Sequence, residues 1–281
     1  MTKDPAWLLN FQSNVFSQAG EDGIIEKVLS LLPERDVWCV EFGAWDGIHF
    51  SNTRNLILNK DYGAVLIEGD PGKFKELRAN YSEYPKVTSF NKMVGFEGQN
   101  RLDLILAETS IPREFDFLSI DIDGNDYHVW KALENYAPKI ICIEYNPTIP
   151  TPVHFVQPAD MDINQGASVL ALAELGREKG YELICVQPFN AFFTRKEYFP
   201  LFEIGDNSPG TLRKHDGVIT YLFSGYDGTV FVRGYGKLNW HNIPIDENKV
   251  QILPKFLRKY PLNYTGFETF LFNLFFKKKK D

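Results

Sequence analysis

The run Val37-Trp38-Cys39-Val40-Glu41-Phe42, followed at once by Gly43-Ala44-Trp45-Asp46-Gly47, decides how this chain is read. Val37 to Phe42 is short, apolar and rich in β-formers, so it is expected to be a buried strand. The glycines of the turn behind it let the backbone approach a ligand closely. A helix is then expected near Ser51-Asn52-Thr53, with capping hydroxyls, Thr53 among them, and an N-terminus aimed at that ligand.

The turn also separates two classes of ligand. A dinucleotide fingerprint places three glycines as G-x-G-x-x-G where pyrophosphate meets the helix. Here Gly43 and Gly47 stand four apart, with bulky Trp45 and the carboxylate of Asp46 between them. A carboxylate beside pyrophosphate is electrostatically poor. Glu41 and Asp46 suit a ligand with an ammonium and a sulfonium and no phosphate, which is S-adenosylmethionine (SAM).

Outward from this turn, strand-like runs recur at Ala64–Ile67, Val87–Phe90, Phe115–Ile122 and Ile140–Ile143. Helical segments start between them near Ser51, Pro71, Gly98 and Asp126, with Asp126 read as the N-cap of a helix over Tyr127–Asn135. Apolar strands separated by helices predict an α/β, Rossmann-like sheet, mostly parallel and covered on both faces. A helix over Ala167–Lys179 and strands over Tyr181–Val186 and Ala191–Thr194 continue it. Two further strands, Gly217–Phe223 and Thr229–Arg233, are joined by Ser-Gly-Tyr-Asp-Gly, a hairpin signal. The sheet is therefore expected to gain antiparallel members late. One domain is expected over residues 1–245, its core about 15–200, followed by a distinct segment, 246–281.

Carboxylates gather at the strand ends. Glu68 closes the second strand, where an acid can accept both hydroxyls of a ribose. Asp121, Asp123 and Asp126 follow the fourth, and Glu144 and Asn146 the fifth. Such a cluster needs cations or shared protons. Asp121, Glu144 and Asn146 could offer hard oxygens to Mg²⁺ or Mn²⁺; alternatively the acids hold a cofactor amine, substrate hydroxyls and helix N-termini without metal. Asp121, Asp123 and His154, the last in a Pro-rich loop expected to overhang the site, are candidate bases for a hydroxyl proton. No spacing matches a zinc site, a hydrolase triad or a Walker loop.

Ser17-Gln18-Ala19-Gly20-Glu21-Asp22, the glycine turn, Ile67-Glu68-Gly69-Asp70-Pro71, Asp121-Ile122-Asp123-Gly124-Asn125-Asp126 and Ile143-Glu144-Tyr145-Asn146-Pro147 together resemble the FkbM-like branch of SAM-dependent methyltransferases. The resemblance covers about residues 15–200. It implies the seven-stranded sheet of the class I type and methyl transfer, usually to oxygen, on polyketide or glycan acceptors. A sugar, sugar nucleotide or glycan of capsule or O-antigen biosynthesis is the expected acceptor class. Carried onto this chain, Glu41, Gly43 and Gly47 would hold the methionyl part, Glu68 the ribose, and Asp121 would stand at the methyl-donor end, with Gln18 and Asp46 beside them. Metal-dependent catechol-type methyltransferases carry a lysine three residues after the fourth-strand acid; this chain has Gly124 there. Two other readings stay open: a nucleotide-dependent oxidoreductase on the same sheet, and a non-catalytic scaffold.

Bulk properties bound the partners. Across 281 residues the net charge is −7, which speaks against a general nucleic-acid binder. The three cysteines, Cys39, Cys142 and Cys185, lie in apolar runs and read as reduced, buried thiols of a cytoplasmic protein. No run reaches the roughly 18 apolar residues of a membrane span. The end is different, since Phe267, Phe270, Leu271, Phe272, Leu274, Phe275 and Phe276 precede Lys277 to Lys280. It reads as a helix packed on the domain or in a homo-oligomer interface, or as a contact with the inner face of an anionic membrane.

Overall fold

The computed structural model describes residues 3–276. The chain divides into two compact units, Met1–His215 and Asp216–Asp281. The first is built from α1 (Glu21–Leu31), β1 (Trp38–Phe42), α2 (Arg54–Lys60), β2 (Gly63–Glu68), α3 (Pro71–Asn80), β3 (Val87–Asn91), α4 (Leu102–Leu106), β4 (Phe117–Ile120), α5 (Asp126–Ala132), β5 (Ile140–Glu144), α6 (Val169–Glu178), β6 (Tyr181–Val186), β7 (Asn190–Arg195) and α7 (Pro209–Leu212).

Its seven strands lie in the order β3-β2-β1-β4-β5-β7-β6. β1 to β5 run parallel, and β7 is antiparallel to both its neighbours. From β1 the chain steps outward to β2 and β3, then returns to the other side of β1 for β4 and β5. With right-handed crossovers this places helices on both faces and opens a crevice at the carboxyl ends of β1 and β4. Covering both faces explains why β2 is buried along its whole length, while the edge strand β3 is not.

The late antiparallel member is β7, the run read as Ala191–Thr194. The expected hairpin forms as β8 (Thr220–Ser224) and β9 (Val230–Gly234), but as a two-stranded sheet of its own. Those strands lie in the second unit with the short pair β10 (Lys237–Leu238) and β11 (Ile243–Pro244) and the helix α8 (Gly266–Phe275). The compact units therefore part after His215, thirty residues before the boundary expected from composition. The ladder supplies the reason, because β8 pairs only with β9. Residues 277–281 of the C-terminal segment lie outside the described residues. Among the described residues no helix is long and apolar enough to cross a membrane, and Cys39, Cys142 and Cys185 are buried free thiols.

One polar lock ties the opposite, amino-terminal edge of the sheet. Asp116, fully buried, accepts from the backbone N–H of Asp36 (2.9 Å) and Val37 (3.0 Å), from the Tyr62 hydroxyl (3.0 Å) and from Lys139 Nζ (2.9 Å). These partners precede β1, β2 and β5, and Asp116 itself precedes β4. One carboxylate thus pins the start of four strands.

Candidate active site

Strand register sets the acids in a row. Phe42 is level with Ile67 of β2 and Ile120 of β4, and Ile120 is level with Ile143 of β5. The next residues along, Glu68, Gly43, Asp121 and Glu144, therefore stand side by side across the carboxyl edge, about 4.8 Å per strand. Asn91 pairs Glu68 at one end of the row and Asn190 pairs Glu144 at the other. Gly43 has φ +70°, and a Cβ there would collide with the Asp121 backbone oxygen. Gly47, at φ +72°, would likewise run into the Tyr81 ring. The two glycines thus allow the turn to fold flat against β4 and α3.

The acids fall into two groups by what they touch. Glu41 is buried, accepting at Oε1 from Asn52 N–H (2.8 Å) and at Oε2 from the hydroxyls of Ser51 and Thr53 (2.6 Å each). Burial raises its pKa, and these hydrogen bonds oppose the rise. Asp46 accepts from Ile48 and His49 N–H (2.9 Å each) and faces the His49 imidazole. Burial would raise the Asp46 carboxyl, but those groups outweigh it and hold it low. Glu41 and Asp46 therefore shape the loop, their carboxylate oxygens taken up by its own donors.

Thr53 is fully buried with its hydroxyl spent on Glu41, so it does not reach a ligand. Ser51 caps α2 instead, its Oγ accepting from Thr53 and Arg54 N–H. Within the loop Trp45 and Phe50 both hold left-handed backbone, at φ +51° and +59°, the sort of local strain that gathers where a site over-determines its loops.

Of the remaining acids Glu68 is buried, Glu144 half-buried, and Asp121 and Asp123 exposed. Glu68 accepts from Trp45 and Asp70 N–H (2.7 Å each), which leaves about two of its four lone-pair sites for hydroxyl donors. Asp121, Asp123 and Glu144 each present a carboxylate oxygen within 4.8 Å of the others. Asp121 is open to water yet crowded by protein. This desolvation, then repulsion from Asp126, Asp123, Glu41 and Glu21, drives its carboxyl well above the usual range. Glu144 is raised by the same causes, desolvation first and Asp121 next. The two lie within 4.8 Å of each other and repel, so they titrate as a coupled pair in which a shared proton would relieve the repulsion.

A carboxyl more basic in the fold than in the unfolded chain supports the fold in acid and withdraws that support as pH rises through the titration. Wild type should accordingly lose thermal stability from about pH 5 into the alkaline range. Glu144→Gln should flatten that slope and raise the Tm at pH 8 by about 3 °C, the effect of roughly 1 kcal/mol in a chain of this size. Parallel melting curves from pH 5 to 9 would count against the shared proton.

Three expected residues are placed differently. Asn146 turns its Oδ1 to the N–H (2.9 Å) and hydroxyl (2.6 Å) of Thr148 and donates to Gln165 O, so its amide holds the loop and Asp123 takes its place in the cluster. Asp126 is the first residue of α5 and not its cap; it reaches back to accept from Ile122 and Gly124 N–H (2.9 Å each), bending the loop that carries Asp123 at φ +56°. His154 is exposed and lies 3.3 Å from Glu174 of α6, with no hydrogen bond to the carboxylate cluster.

The amino-terminal motif contributes more than Gln18, whose side chain is exposed. Asp22 Oδ2 gathers the N–H groups of Val15, Phe16 and Ser17 at 2.7–2.8 Å, winding residues 13–20 into a closed loop. Glu21 accepts from Ala19 N–H and from Asn190 Nδ2, and Gln187 Nε2 donates to Ala19 O. That loop is thus moored beside Glu144, at the turn between β6 and β7. Gln187 and Asn190 carried no sequence signal, since nothing local marks a turn residue as the anchor of a loop 168 positions away.

The chemistry of the donor set tests what fits. No Lys or Arg among the described residues pairs with Glu41, Asp46, Glu68, Asp121, Asp123 or Glu144. A ligand that brings an ammonium, a sulfonium and ribose hydroxyls matches this deficit, and one that brings phosphates does not.

The strand order and this carboxyl-edge row define a Rossmann-like fold of the class I methyltransferase type. No family model and no curated protein matches the chain. Among solved structures it is similar to the CurJ carbon methyltransferase, at 9% identity over 65% of this chain and 56% of that one, with a TM-score of 0.43. It is also similar to the N-terminal domain of EvdMO1 with SAH bound, at 12% identity over 64% and 82%, TM-score 0.43. A SAM-dependent methyltransferase from Aquifex aeolicus is similar at 10% identity over 68% and 97%, TM-score 0.38. The chain spans about half the length of the CurJ structure it matches.

Proposed function

We propose that this chain is a SAM-dependent methyltransferase acting on a hydroxyl group, and that the acceptor is a sugar, sugar nucleotide or glycan of surface-polysaccharide assembly in the cytoplasm. The observation that carries the cofactor reading is the row of acids without a Lys or Arg partner at the carboxyl edge, which a cationic ligand would complement. Bound SAM supplies a methyl group on a sulfonium, already a good leaving group. The protein's share is alignment and removal of the hydroxyl proton.

Glu68 would accept the ribose hydroxyls, and the turn at Gly43–Gly47 would seat the methionyl end. Asp121, next to Gly43, would stand where the methyl group is transferred. With one proton shared between Asp121 and Glu144, the other carboxylate is free to take the acceptor's proton, and its raised basicity suits that work at neutral pH. When a Mg²⁺ or Mn²⁺ ion is bound, Asp121, Asp123 and Glu144 would hold it in place of the shared proton, since three hard oxygens lie close enough together. Such an ion would lower the pKa of a bound hydroxyl.

Calorimetry of SAM and S-adenosylhomocysteine, with and without Mn²⁺ or Mg²⁺, tests the reading. Micromolar affinity is expected, about −8 kcal/mol. Glu68→Gln should weaken it by about 10-fold to 100-fold, the loss of a hydrogen bond to a charged group. Absence of binding under all these conditions would remove the methyltransferase reading.

A further inference from the structure

We propose that the guanidinium of Arg54 is an anion-binding fork at the end of the glycine turn, and that it takes the methionyl carboxylate of SAM. The inference deepens the methyltransferase reading and rests on it.

The need for such a group comes from charge. Residues 1–215 hold 20 Lys and Arg against 31 Asp and Glu, a net of −11. Among the described residues, the acids of the turn and of the carboxyl edge have no Lys or Arg partner. The methionyl end of SAM is a zwitterion, whose ammonium suits this field and whose carboxylate is repelled by it. That carboxylate can settle at the turn only where a positive group stands beside it. His49, which could carry such a charge within the turn's own loop, is held by Asp46.

Arg54 meets the need. It is the first residue of α2, and its Nη1 reaches back seven positions to donate to Gly47 O at 3.3 Å. The Tyr81 hydroxyl donates to the same oxygen at 2.6 Å and lies 3.4 Å from Nη1. The guanidinium carbon stands 5.1 Å from the centre of the Phe16 ring and 5.6 Å from that of Tyr81. Two aromatic rings and a backbone carbonyl thus hold the fork in place before any ligand arrives.

The charge of the fork is unspent. Arg101, Arg195 and Arg233 each pair with a carboxylate. Arg54 is half-buried, and among the described residues it pairs with no carboxylate and donates no hydrogen bond from Nη2. A guanidinium kept partly out of water without a counter-charge is costly. An incoming carboxylate relieves that cost through a charge-assisted, geometrically matched contact. Its neighbours fit the assignment. Gly47 closes the turn proposed to seat the methionyl end, and Phe16 belongs to the loop that Asp22 winds and that Gln187 and Asn190 moor.

Calorimetry with S-adenosylhomocysteine and with its decarboxylated analogue, which keeps the nucleoside, the thioether and the ammonium, isolates the carboxylate. Wild type should bind S-adenosylhomocysteine at least ~10-fold more tightly than the analogue, the worth of a hydrogen bond to a charged group. Arg54→Gln should erase that preference, weakening S-adenosylhomocysteine by about 10-fold to 100-fold and the analogue by less than ~2-fold. Arg54→Lys keeps the charge without the fork, so its loss should fall between wild type and the Gln variant, again for S-adenosylhomocysteine alone. The lysine variant decides the matter if the Gln variant does not fold. Equal losses for both ligands make Arg54 a packing residue of the loop and overturn the proposal, as does unchanged affinity for both. Unchanged cofactor affinity with a raised KM for an acidic acceptor assigns the fork to the acceptor's anion and overturns it too. Failure of wild type to bind either ligand is a different result, which removes the methyltransferase reading itself and this proposal with it.

Discussion

Asp121→Asn should lower methyl transfer by about 10²-fold to 10⁴-fold, the range for loss of a positioned base, while SAM affinity changes only a few-fold. Asp121 lies at the centre of the row, level with Gly43 on one side and Glu144 on the other. It is one of three mutually repelling carboxylates that still reach water. An amide fills the same space and accepts a hydrogen bond, but cannot take a proton. The same change removes repulsion from Asp126, Asp123, Glu41 and Glu21, so the variant should melt higher than wild type above neutral pH. Loss of turnover with a raised Tm is the signature of a residue kept for chemistry at the expense of stability. Wild-type turnover in this variant removes Asp121 from the mechanism. A lowered Tm would show that the carboxylate is held by favourable contacts instead.

Asp116→Ala should be the most destabilising change in the first unit, at about 3–5 kcal/mol, which corresponds to a drop in Tm of roughly 10 °C. Removing the carboxylate leaves Lys139, itself 5% exposed, without its buried counter-charge and strips partners from Asp36 N–H, Val37 N–H and the Tyr62 hydroxyl. Asp36 still reaches Lys139, so the charge is not wholly orphaned. The double variant Asp116→Leu with Lys139→Met should lose less than the two single changes together, because neither charge is then stranded. Additive losses would mean that the hydrogen bonds to the strand starts matter and the ion pair does not. SAM affinity should be unaffected in any variant that stays folded, since the lock sits at the far edge of the sheet.

The glycine turn from Gly43 to Gly47 and the place of the acids at the strand ends were legible because each depends on residue type at one place in the chain. Glycines at φ near +70° and carboxylates at strand ends carry their meaning locally. The same reading erred wherever a side chain had a choice of partner. Thr53 has the residue type of a ligand contact, yet folding buries it on Glu41. Asn146 is a plausible hard ligand, yet its own turn claims it through Thr148. His154 is the right kind of base, yet it pairs with Glu174. Partners close in the chain win these contests because the loops they close are short and cost little entropy.

The sequence by itself determined the α/β sheet and the edge at which its acids gather. Each follows from periodicity, glycine placement or charge. Only the tertiary structure decided that Glu41 and Asp46 build the loop while Glu68, Asp121 and Glu144 stand in a row at the carboxyl edge, with Asp123 beside them. It alone moored the amino-terminal loop on Gln187 and Asn190, and it alone parted the chain after His215. Those facts depend on strand register and on contacts between residues far apart in the chain, and the free energy that selects them is shared among partners that no local pattern brings together.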